Sequence, residues 1–266
     1  MKYTAIIIEP RIHNALQFVL NNFFTNLDND WSFIIFYGNK NKDCLYKIIK
    51  ENFLHMIDRI KLINLQIDNL SIIQYCFLLY DEKFYDLINT EYFLIFQTDT
   101  IIRKRFKYFI NSFLIFDYVG APWLDPFKTF NKHDANNVGN GGLSLRKKSK
   151  MLEIIKKNFY FDNCKHLPED YFFTRKYDNI KLNVPKIEYA KFFSVESIYN
   201  SESFGVHKPW FHLSKEDYES LIEISPEVHE LKLLNDEYNK NNKKEYNSNR
   251  LSFNFIEEKL NKDLIN

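Results

Sequence analysis

Asp99 is the first residue whose type and position could do chemistry. It follows the apolar run Tyr92 to Phe96, after Gln97 and Thr98, at the end of a predicted buried strand. Ligands of open parallel sheets bind outside the carboxyl ends of the strands, where a carboxylate can join a divalent cation to nucleotide phosphates. The same position suits an aspartate that caps a turn before Ile101.

Glu169 and Asp170 form an adjacent acidic pair at the start of a predicted helix, Pro168 to Tyr177. One of two carboxylates at a helix start can point into a cleft and act as a general base. Both can instead complement the positive end of the helix dipole. Their position alone leaves the two roles open.

Three further side chains follow predicted strands or turns. Glu9 and Arg11 come directly after the first apolar run, where Arg11 could contact a nucleotide or form an ion pair with a neighbour. His207 lies in the turn FGVHKPW. Its imidazole could complete a metal site that a distant carboxylate begins, or it could be a surface residue.

Half of the six glycines in the chain fall within residues 139–142. Glycine is favoured where the backbone bends sharply or approaches another group closely. Gly141 and Gly142, with Asn140 and Ser144 beside them, could therefore line a ligand pocket. They could equally form a bulge or tight turn before a strand.

Two of the three tryptophans are candidates for stacking on sugar rings. Trp123 and Trp210 lie in polar loops, whereas Trp31 begins an apolar run and is expected to pack in the core.

The elements that must position these residues alternate along the chain. Short apolar runs typical of buried strands are separated by stretches with helical spacing. We predict strands over Tyr3–Ile8, Trp31–Tyr37, Ile60–Leu65, Tyr92–Phe96, Phe113–Val119 and Ile187–Val195. We predict helices over Ile12–Phe24, Leu45–Leu54, Leu70–Ile88, Met151–Phe159, Pro168–Tyr177, Glu216–Ile224 and Leu251–Leu264. This order predicts an α/β fold with a mostly parallel central sheet flanked by helices.

The pattern of residues divides the chain into a main domain over residues 1–214 and a helical C-terminal extension over residues 215–266. A polar tract from Asn235 to Asn249 is expected to be a flexible connection in the extension. The extension is also the expected contact surface if the chain forms a homo-oligomer.

Composition restricts the partners and the compartment. The 36 basic and 35 acidic residues nearly cancel, so no global charge favours nucleic acid or anionic lipid. No apolar run is long enough for a membrane span, and the residues after Met1 do not have the basic and long apolar segments of a secretory leader, so we expect a soluble protein. Three distant cysteines without a CxxC spacing favour a reducing compartment, and we expect the cytoplasm. The Asn, Lys, Ile and Tyr content indicates an AT-rich genome, and a viral genome of that kind would place the protein in a host cytoplasm.

Five motifs in a fixed order carry a resemblance to a known family. They are QTD at Gln97 to Asp99, VGAPW at residues 119–123, VGNGGLSLR at 138–146, PEDYFF at 168–173 and FGVHKPW at 204–210. Together they resemble GT-A glycosyltransferases, and more closely a domain-of-unknown-function family of glycosyltransferase-like proteins. The resemblance covers most of residues 3–212. It implies a GT-A-like, Rossmann-like sheet and transfer of a sugar from a nucleotide-diphosphate sugar, with a UDP-sugar expected, to a hydroxyl acceptor such as a glycan with inversion.

The resemblance also implies roles for individual residues. Asp99 would bind Mn²⁺ or Mg²⁺, with Gln97 in the place of the first acid of the family's Asp-X-Asp motif. His207 would complete the metal shell, Asp170 would be the catalytic base and Glu169 would bind acceptor or donor hydroxyls. The donor site would be Glu9, Arg11, Gln97, Thr98 and Asp99, and the acceptor and sugar pocket Trp123, Asn140, Gly141, Gly142, Ser144 and Trp210.

Two other functions remain open on the sequence. Gln97 in place of an acid fits a catalytically silent domain that binds a sugar or a nucleotide. A nucleotidyltransferase shares the α/β nucleotide cradle, but it needs a basic glycine-rich loop near the first strand, which Glu9-Pro10-Arg11 does not supply. The chain also has no GxxxxGK(S/T) loop, no GxGxxG after the first strand and no GxSxG elbow.

Overall fold

The computed structural model describes residues 1–124, 137–159, 167–242, 253 and 255–258. The described strands are β1 Tyr3–Ile8, β2 Trp31–Tyr37, β3 Ile60–Asn64, β4 Tyr92–Phe96, β5 Thr100–Ile102, β6 Tyr118–Gly120, β7 Ser144–Lys147, β8 Ser194–Val195, β9 Gly205–His207 and β10 Ile256–Glu258. The helices are α1 Leu16–Asn26, α2 Lys42–Asn52, α3 Ile72–Tyr80, α4 Glu82–Asp86, α5 Lys148–Ile154, α6 Glu169–Thr174, α7 Ile187–Ala190, α8 Lys215–Ile224 and α9 Glu227–Asn241.

A mixed sheet with the strand order β10-β3-β2-β1-β4-β7-β6 forms the centre of the molecule. Strands β3, β2, β1 and β4 are parallel neighbours, whereas β10 and β7 run antiparallel to the strands beside them. Tyr3 in β1 is in register with Trp31 and with Tyr92, so β1, β2 and β4 end at the same edge of the sheet. The predicted α/β fold with a central sheet flanked by helices is confirmed.

Helices cover both faces of the sheet, which explains why β1 reads as a continuous apolar run. Ala5 and Ile7 belong to one hydrophobic core, and Ile6 and Ile8 belong to another. Because successive side chains of a strand point to opposite faces, both faces of β1 are buried. The central strand is therefore apolar except near its start, where the hydroxyl of the buried Thr4 is hydrogen-bonded to that of Thr90.

A small second sheet, with the order β5-β9-β8, positions part of the cleft. Strand β5 begins directly after Asp99 and pairs antiparallel with β9, with Thr100 opposite His207. This pairing places two residues that are more than 100 positions apart side by side.

Two predicted strands are extended only in their last residues. The stretch predicted as a strand from Phe113 to Val119 begins at the end of a 3₁₀ helix, Lys104–Phe113, and only β6 is extended. In the stretch from Ile187 to Val195, α7 precedes a two-residue strand. Both stretches are rich in buried aromatic residues, and Phe113 packs edge-on against Phe193. Apolar content of this kind does not distinguish a short strand from a helical turn.

Other predicted helices differ in extent. The helix predicted from Leu70 to Ile88 is divided at Asp81, whose backbone is extended and whose carboxylate accepts from the amide of Lys83 to cap α4. An extended residue ends the hydrogen-bond ladder of α3 and lets the chain turn.

The C-terminal extension contains the helix predicted over Glu216–Ile224 as α8, and a second helix, α9, that was not predicted. Helix α9 continues to Asn241, so the first part of the tract expected to be flexible is helical. Burial of Asn235 and Tyr238 on the face that also carries Leu231 stabilises this polar stretch as a helix. Most of the helix predicted over Leu251 to Leu264 lies outside the described residues. Residues 256–258 form a strand, because β10 pairs with the edge strand β3 and Glu257 forms an ion pair with Lys61.

Candidate active site

A cleft of about 330 Å³ opens at the edge of the sheet where β1 and β4 end. Its walls come from residues 8–11 after β1, residues 97–99 after β4, the glycine segment 140–142, the start of α6 at 168–170, and residues 207–208 after β9. The sixth wall is the start of α3 and the residues before it, with Leu70, Ile72 and Tyr75. The polar residues that follow the strands therefore meet in one place, as the parallel topology requires.

Asp99 and His207 face each other in this cleft. Their Oδ1 and Nε2 atoms lie 3.4 Å apart, and neither atom has a hydrogen-bond partner among the described residues. Burial raises the pKa of Asp99, but His207 and Lys208 lower it more, and the net pKa lies well below the usual range. Burial lowers the pKa of His207, but Asp99 raises it more, and the net pKa is raised. Each side chain thus favours the charged form of the other, and a metal ion held by Nε2 of His207 would replace the proton there.

Glu196 lies next to the other nitrogen of the His207 ring, Nδ1. Its Oε1 atom lies 3.0 Å from Nδ1 of His207 and accepts a hydrogen bond of 2.9 Å from the side-chain amide of Asn140. Asn140 in turn accepts a hydrogen bond of 3.0 Å from the amide of Gly142. One oxygen of Glu196 thereby lies beside both the histidine ring and the side chain of Asn140 in the glycine segment.

Gly141 and Gly142 are required by close contacts with side chains. A Cβ atom on Gly142 would lie 2.3 Å from Nε2 of His207, and one on Gly141 would lie 2.1 Å from Oε1 of Glu169. Both distances are far below van der Waals contact. The glycine segment of the sequence therefore provides room for the imidazole and for the Glu169 carboxylate, in addition to lining the cleft.

Glu169 forms a bidentate ion pair with Arg146, which has no solvent exposure. The guanidinium donates to the two carboxylate oxygens at 2.7 and 3.1 Å. It also lies over the rings of Tyr118 and Phe173, at 4.8 and 5.6 Å from their centroids. Both oxygens of Glu169 are thus held by a buried cation, although the residue lines the cleft.

Asp170 lies beside Glu169 at the start of α6 and lines the cleft. Its Oδ1 atom accepts a hydrogen bond of 2.8 Å from the amide of Tyr171, and its Oδ2 atom accepts one of 3.4 Å from the amide of Gly141. Burial, followed by the negative charge of Glu169, raises the pKa of Asp170 to about 7. A carboxylate with this pKa can take up and release a proton near neutral pH.

Glu9 and Arg11 form the wall of the cleft after β1. Glu9 is buried and accepts from Nε and Nη2 of Arg11, both at 2.7 Å, and from the hydroxyl of Thr98 at 3.3 Å. Asn41 bridges the backbone, because its side-chain amide donates to the carbonyls of Glu9 and Arg11 at 2.7 and 3.0 Å. Arg11 is partly exposed to the cleft, so the ion pair expected as an alternative role leaves it accessible to a ligand.

Three residues predicted for the acceptor and sugar pocket do not line the described cleft. Ser144 is buried in β7, where its hydroxyl donates to the carbonyl of Gly141 and accepts from Nε of Arg146. Trp123 and Trp210 are partly buried away from the cleft, and Trp210 packs against the core. Gln97, Thr98, Asn140 and the two glycines do line it.

The fit of a divalent cation rests on the Asp99 and His207 pair. Across the part of the chain that the structure describes, no three His, Cys, Asp or Glu side chains converge as a metal site. Asp99 and His207 nevertheless present two buried ligand atoms without hydrogen-bond partners, at a separation that two ligands of one cation at about 2.1 Å can adopt. The pair fits as the protein's share of a site completed by phosphate and water oxygens.

Some residues of the cleft, and some that support it from behind, were not predicted as site residues from the sequence. Tyr75 lines the cleft from α3, and its buried hydroxyl has no hydrogen-bond partner within the described ranges. Glu196, Arg146 and Asn41 act only through contacts between distant segments. Arg146 ends the motif at residues 138–146, but nothing in that motif indicates its partner. No local pattern marks Glu196, which reaches His207 because β8 pairs with β9.

Comparison with known proteins assigns the chain to a family. Residues 59–207, more than half of the chain, match the family described as Protein of unknown function (DUF5672). This segment contains Asp99, Gly142, Asp170 and His207 but not Glu9 or Arg11. Among curated proteins, no sequence matches.

Several solved structures resemble this chain at low sequence identity. The glycosyltransferase GlyE of Streptococcus pneumoniae is 11% identical with a TM-score of 0.48, over 91% of this chain and 64% of that chain. TarS of S. aureus is 11% identical with a TM-score of 0.43, over 90% and 70% of the two chains. HddC of Yersinia pseudotuberculosis is 14% identical with a TM-score of 0.40, over 63% and 87%. Among the described helices, none has the length and apolarity to cross a membrane.

Proposed function

The chain belongs to the DUF5672 family, and we propose that it is a glycosyltransferase that moves a sugar from a nucleotide-diphosphate sugar to a hydroxyl acceptor. The donor is a UDP-sugar and the transfer inverts the anomeric carbon. Asp170 is the base, and Asp99 and His207 hold Mn²⁺ or Mg²⁺.

One observation carries the proposal. Asp170, with a pKa raised to about 7, shares a single cleft with the Asp99 and His207 pair, next to Arg11. Inverting transfer needs a base for the acceptor hydroxyl and positive charge near the departing diphosphate. The cleft supplies a group for each requirement, and its position at the carboxyl ends of β1 and β4 is where α/β sheets bind nucleotides.

Asp170 acts in its ionised form. It removes the proton from the acceptor hydroxyl while the oxygen attacks the anomeric carbon, and the nucleotide diphosphate leaves from the opposite side. The amides of Tyr171 and Gly141 hold the two carboxylate oxygens and orient the base. The raised pKa makes Asp170 a stronger base than an ordinary aspartate, at a pH where a large fraction remains ionised.

The other residues of the cleft bind the donor or hold neighbouring side chains in position. A cation held by Asp99 and His207 would supply positive charge to the diphosphate when bound. Arg11 contacts the nucleotide, with its guanidinium oriented by Glu9. Glu169, which the family resemblance assigns to hydroxyl binding, is here a positioning residue, because Arg146 occupies both of its oxygens.

A catalytically silent binding domain is the second candidate. It is favoured by Gln97 in the place of an acid and by the lack of a third acidic or imidazole ligand beside Asp99 and His207 among the described residues. Such a domain would bind a nucleotide or sugar and release no product.

The test is turnover with a panel of UDP-, GDP- and CMP-sugars and Mn²⁺. The proposal expects slow release of nucleotide from one donor by hydrolysis and faster release once an acceptor is found, with inverted product by NMR. Nucleotide binding without release from any donor would support the silent domain. Retention of configuration would remove Asp170 as an inverting base.

A further inference from the structure

Helix α9 contacts the proposed donor side of the cleft, although it lies outside the segment that matches the family. Its buried residues Val228, Leu231, Asn235 and Tyr238 recur every three or four positions and so share one face. Val228 and Leu231, at the start of the helix, join the hydrophobic core. The second half of the same face reaches the residues that follow β1 and β4.

Asn235 is bound to the backbone next to the metal pair. Its side-chain amide donates a hydrogen bond of 2.9 Å to the carbonyl of Thr98, and both residues are buried. Thr98 immediately precedes Asp99, and its hydroxyl donates to Glu9. Asn235 therefore holds the backbone of the segment that carries Asp99, and Glu9 holds the side chain of Thr98 in the same segment.

Tyr238 is bound to the segment after β1. The guanidinium carbon of Arg11 lies 5.2 Å from the centroid of the Tyr238 ring, a cation–π distance. The ring of His13 stacks on the same tyrosine, with 3.9 Å between centroids and an interplanar angle of 27°. Burial lowers the pKa of His13 to about 4, so this stack involves a neutral imidazole at neutral pH.

These contacts restrict Arg11 in two directions. Glu9 accepts from two of its nitrogens, and its guanidinium carbon lies over the ring of Tyr238. An arginine side chain loses rotamer entropy when it becomes fixed. Because Arg11 is already held, it loses less of this entropy when a ligand binds. Arg11 remains partly exposed and lines the cleft.

We propose that α9 is a positioning element of the donor site, in which Tyr238 orients Arg11 and Asn235 orients the Thr98 and Asp99 segment for a nucleoside diphosphate. This inference rests on the proposed function, because it assumes that Arg11 and Asp99 contact a nucleotide. It adds that residues far beyond the family segment determine how tightly that nucleotide binds.

The test is nucleotide affinity by calorimetry with Mn²⁺, using whichever of UDP, GDP and CMP the wild type binds best. Tyr238→Leu keeps apolar volume and removes the ring, and we expect about tenfold weaker binding. Tyr238→Phe keeps the ring and is expected to bind within about twofold of wild type. Asn235→Ala removes the bond to Thr98 and is expected to weaken binding about fivefold.

Val228→Ala is the matched control, since it creates a cavity on the same face of α9 at a position that joins the core. It is expected to lower the Tm without changing nucleotide affinity at a temperature where all variants are folded. Equal weakening by Val228→Ala and Tyr238→Leu would overturn the inference, and so would wild-type affinity in both Tyr238→Leu and Asn235→Ala. If either outcome occurs while the wild type binds a nucleotide, only the role of α9 is overturned and the proposed function stands. A wild type that binds none of UDP, GDP and CMP would overturn both proposals.

Discussion

Gly142 lies directly against the imidazole of His207, so close that a Cβ atom at this position would stand 2.3 Å from Nε2 and 2.4 Å from Cε1. A glycine in the cleft wall thus determines where the histidine sits relative to Asp99. The contact also explains in part why a chain with six glycines places three of them within four residues.

Gly142→Ala is expected to displace His207 and to destabilise the protein by about 1–3 kcal/mol, the usual cost of overpacking. In a His207→Ala background the ring is absent, and the same glycine substitution is expected to cost much less. Denaturant unfolding of the wild type, both single variants and the double variant measures the coupling, which we expect to exceed about 1 kcal/mol. An additive result would mean that the histidine ring is not what excludes a side chain at Gly142.

Glu169→Gln is expected to destabilise the protein by about 3–5 kcal/mol, because it leaves the buried guanidinium of Arg146 without its counter-charge. Replacing both partners with Leu and Met, as Glu169→Leu with Arg146→Met, is expected to recover most of this loss, since no buried charge remains. Thermal and denaturant unfolding measure both. A double variant as unstable as Glu169→Gln would show that the pair itself, and not the uncompensated charge, sets the cost.

Asp170→Asn is expected to stabilise the protein increasingly as the pH rises. The pKa of Asp170 is raised from an ordinary value of 3.8 to about 7, so the folded state holds the proton more tightly than the unfolded state between these values. The wild type therefore loses stability, on the order of a few kcal/mol, as the pH rises through this window and loses no more above it.

The measurement is the Tm of wild type and Asp170→Asn at pH 4.5 and pH 8. The gap in favour of the variant is expected to widen by several degrees at pH 8, about 2–4 °C for each kcal/mol. Asp178→Asn, at an exposed aspartate, serves as the control and is expected to show no such widening. A gap that is the same at both pH values would contradict the assignment of a raised pKa to Asp170.

Mn²⁺ without nucleotide is expected to raise the Tm of the wild type and to leave the Tm of Asp99→Asn and His207→Ala unchanged, because each variant removes one of two protein ligands. Thr100→Ser in β5, next to Asp99, keeps the hydroxyl that bonds Gln97 and is the control. A Tm rise in Asp99→Asn equal to that of the wild type would place the cation elsewhere.

The central strands were predictable from the sequence, because continuous apolar runs are typical of strands covered on both faces. The structure has β1, β2 and β4 with the predicted bounds, and β3 ends one residue earlier. The structure of the stretches Phe113–Val119 and Ile187–Val195 was not predictable in this way. Their aromatic residues pack as well from a helical turn as from a strand. Glu9, Arg11 and residues 97–99 were predictable from their position after β1 and β4, because parallel strands bring such residues to one edge of the sheet.

The remaining contacts of the cleft depend on pairings between distant segments. The registration of β5 with β9 places His207 beside Asp99, and no local pattern encodes that register. Arg146 follows the glycine segment by four residues, yet its partner Glu169 lies on another element. For the same reason Ser144 was predicted to touch a ligand but instead bonds Arg146 behind the cleft.

The most direct test of the central claim is the rate of nucleotide release from the preferred sugar donor by Asp170→Asn, measured beside its affinity for the nucleotide. As the catalytic base, Asp170 accounts for about 10²- to 10⁴-fold in rate. The expected result is a loss of this size with nucleotide affinity within about threefold of the wild type. Turnover by Asp170→Asn at the wild-type rate would contradict the claim that this cleft transfers a sugar with Asp170 as its base.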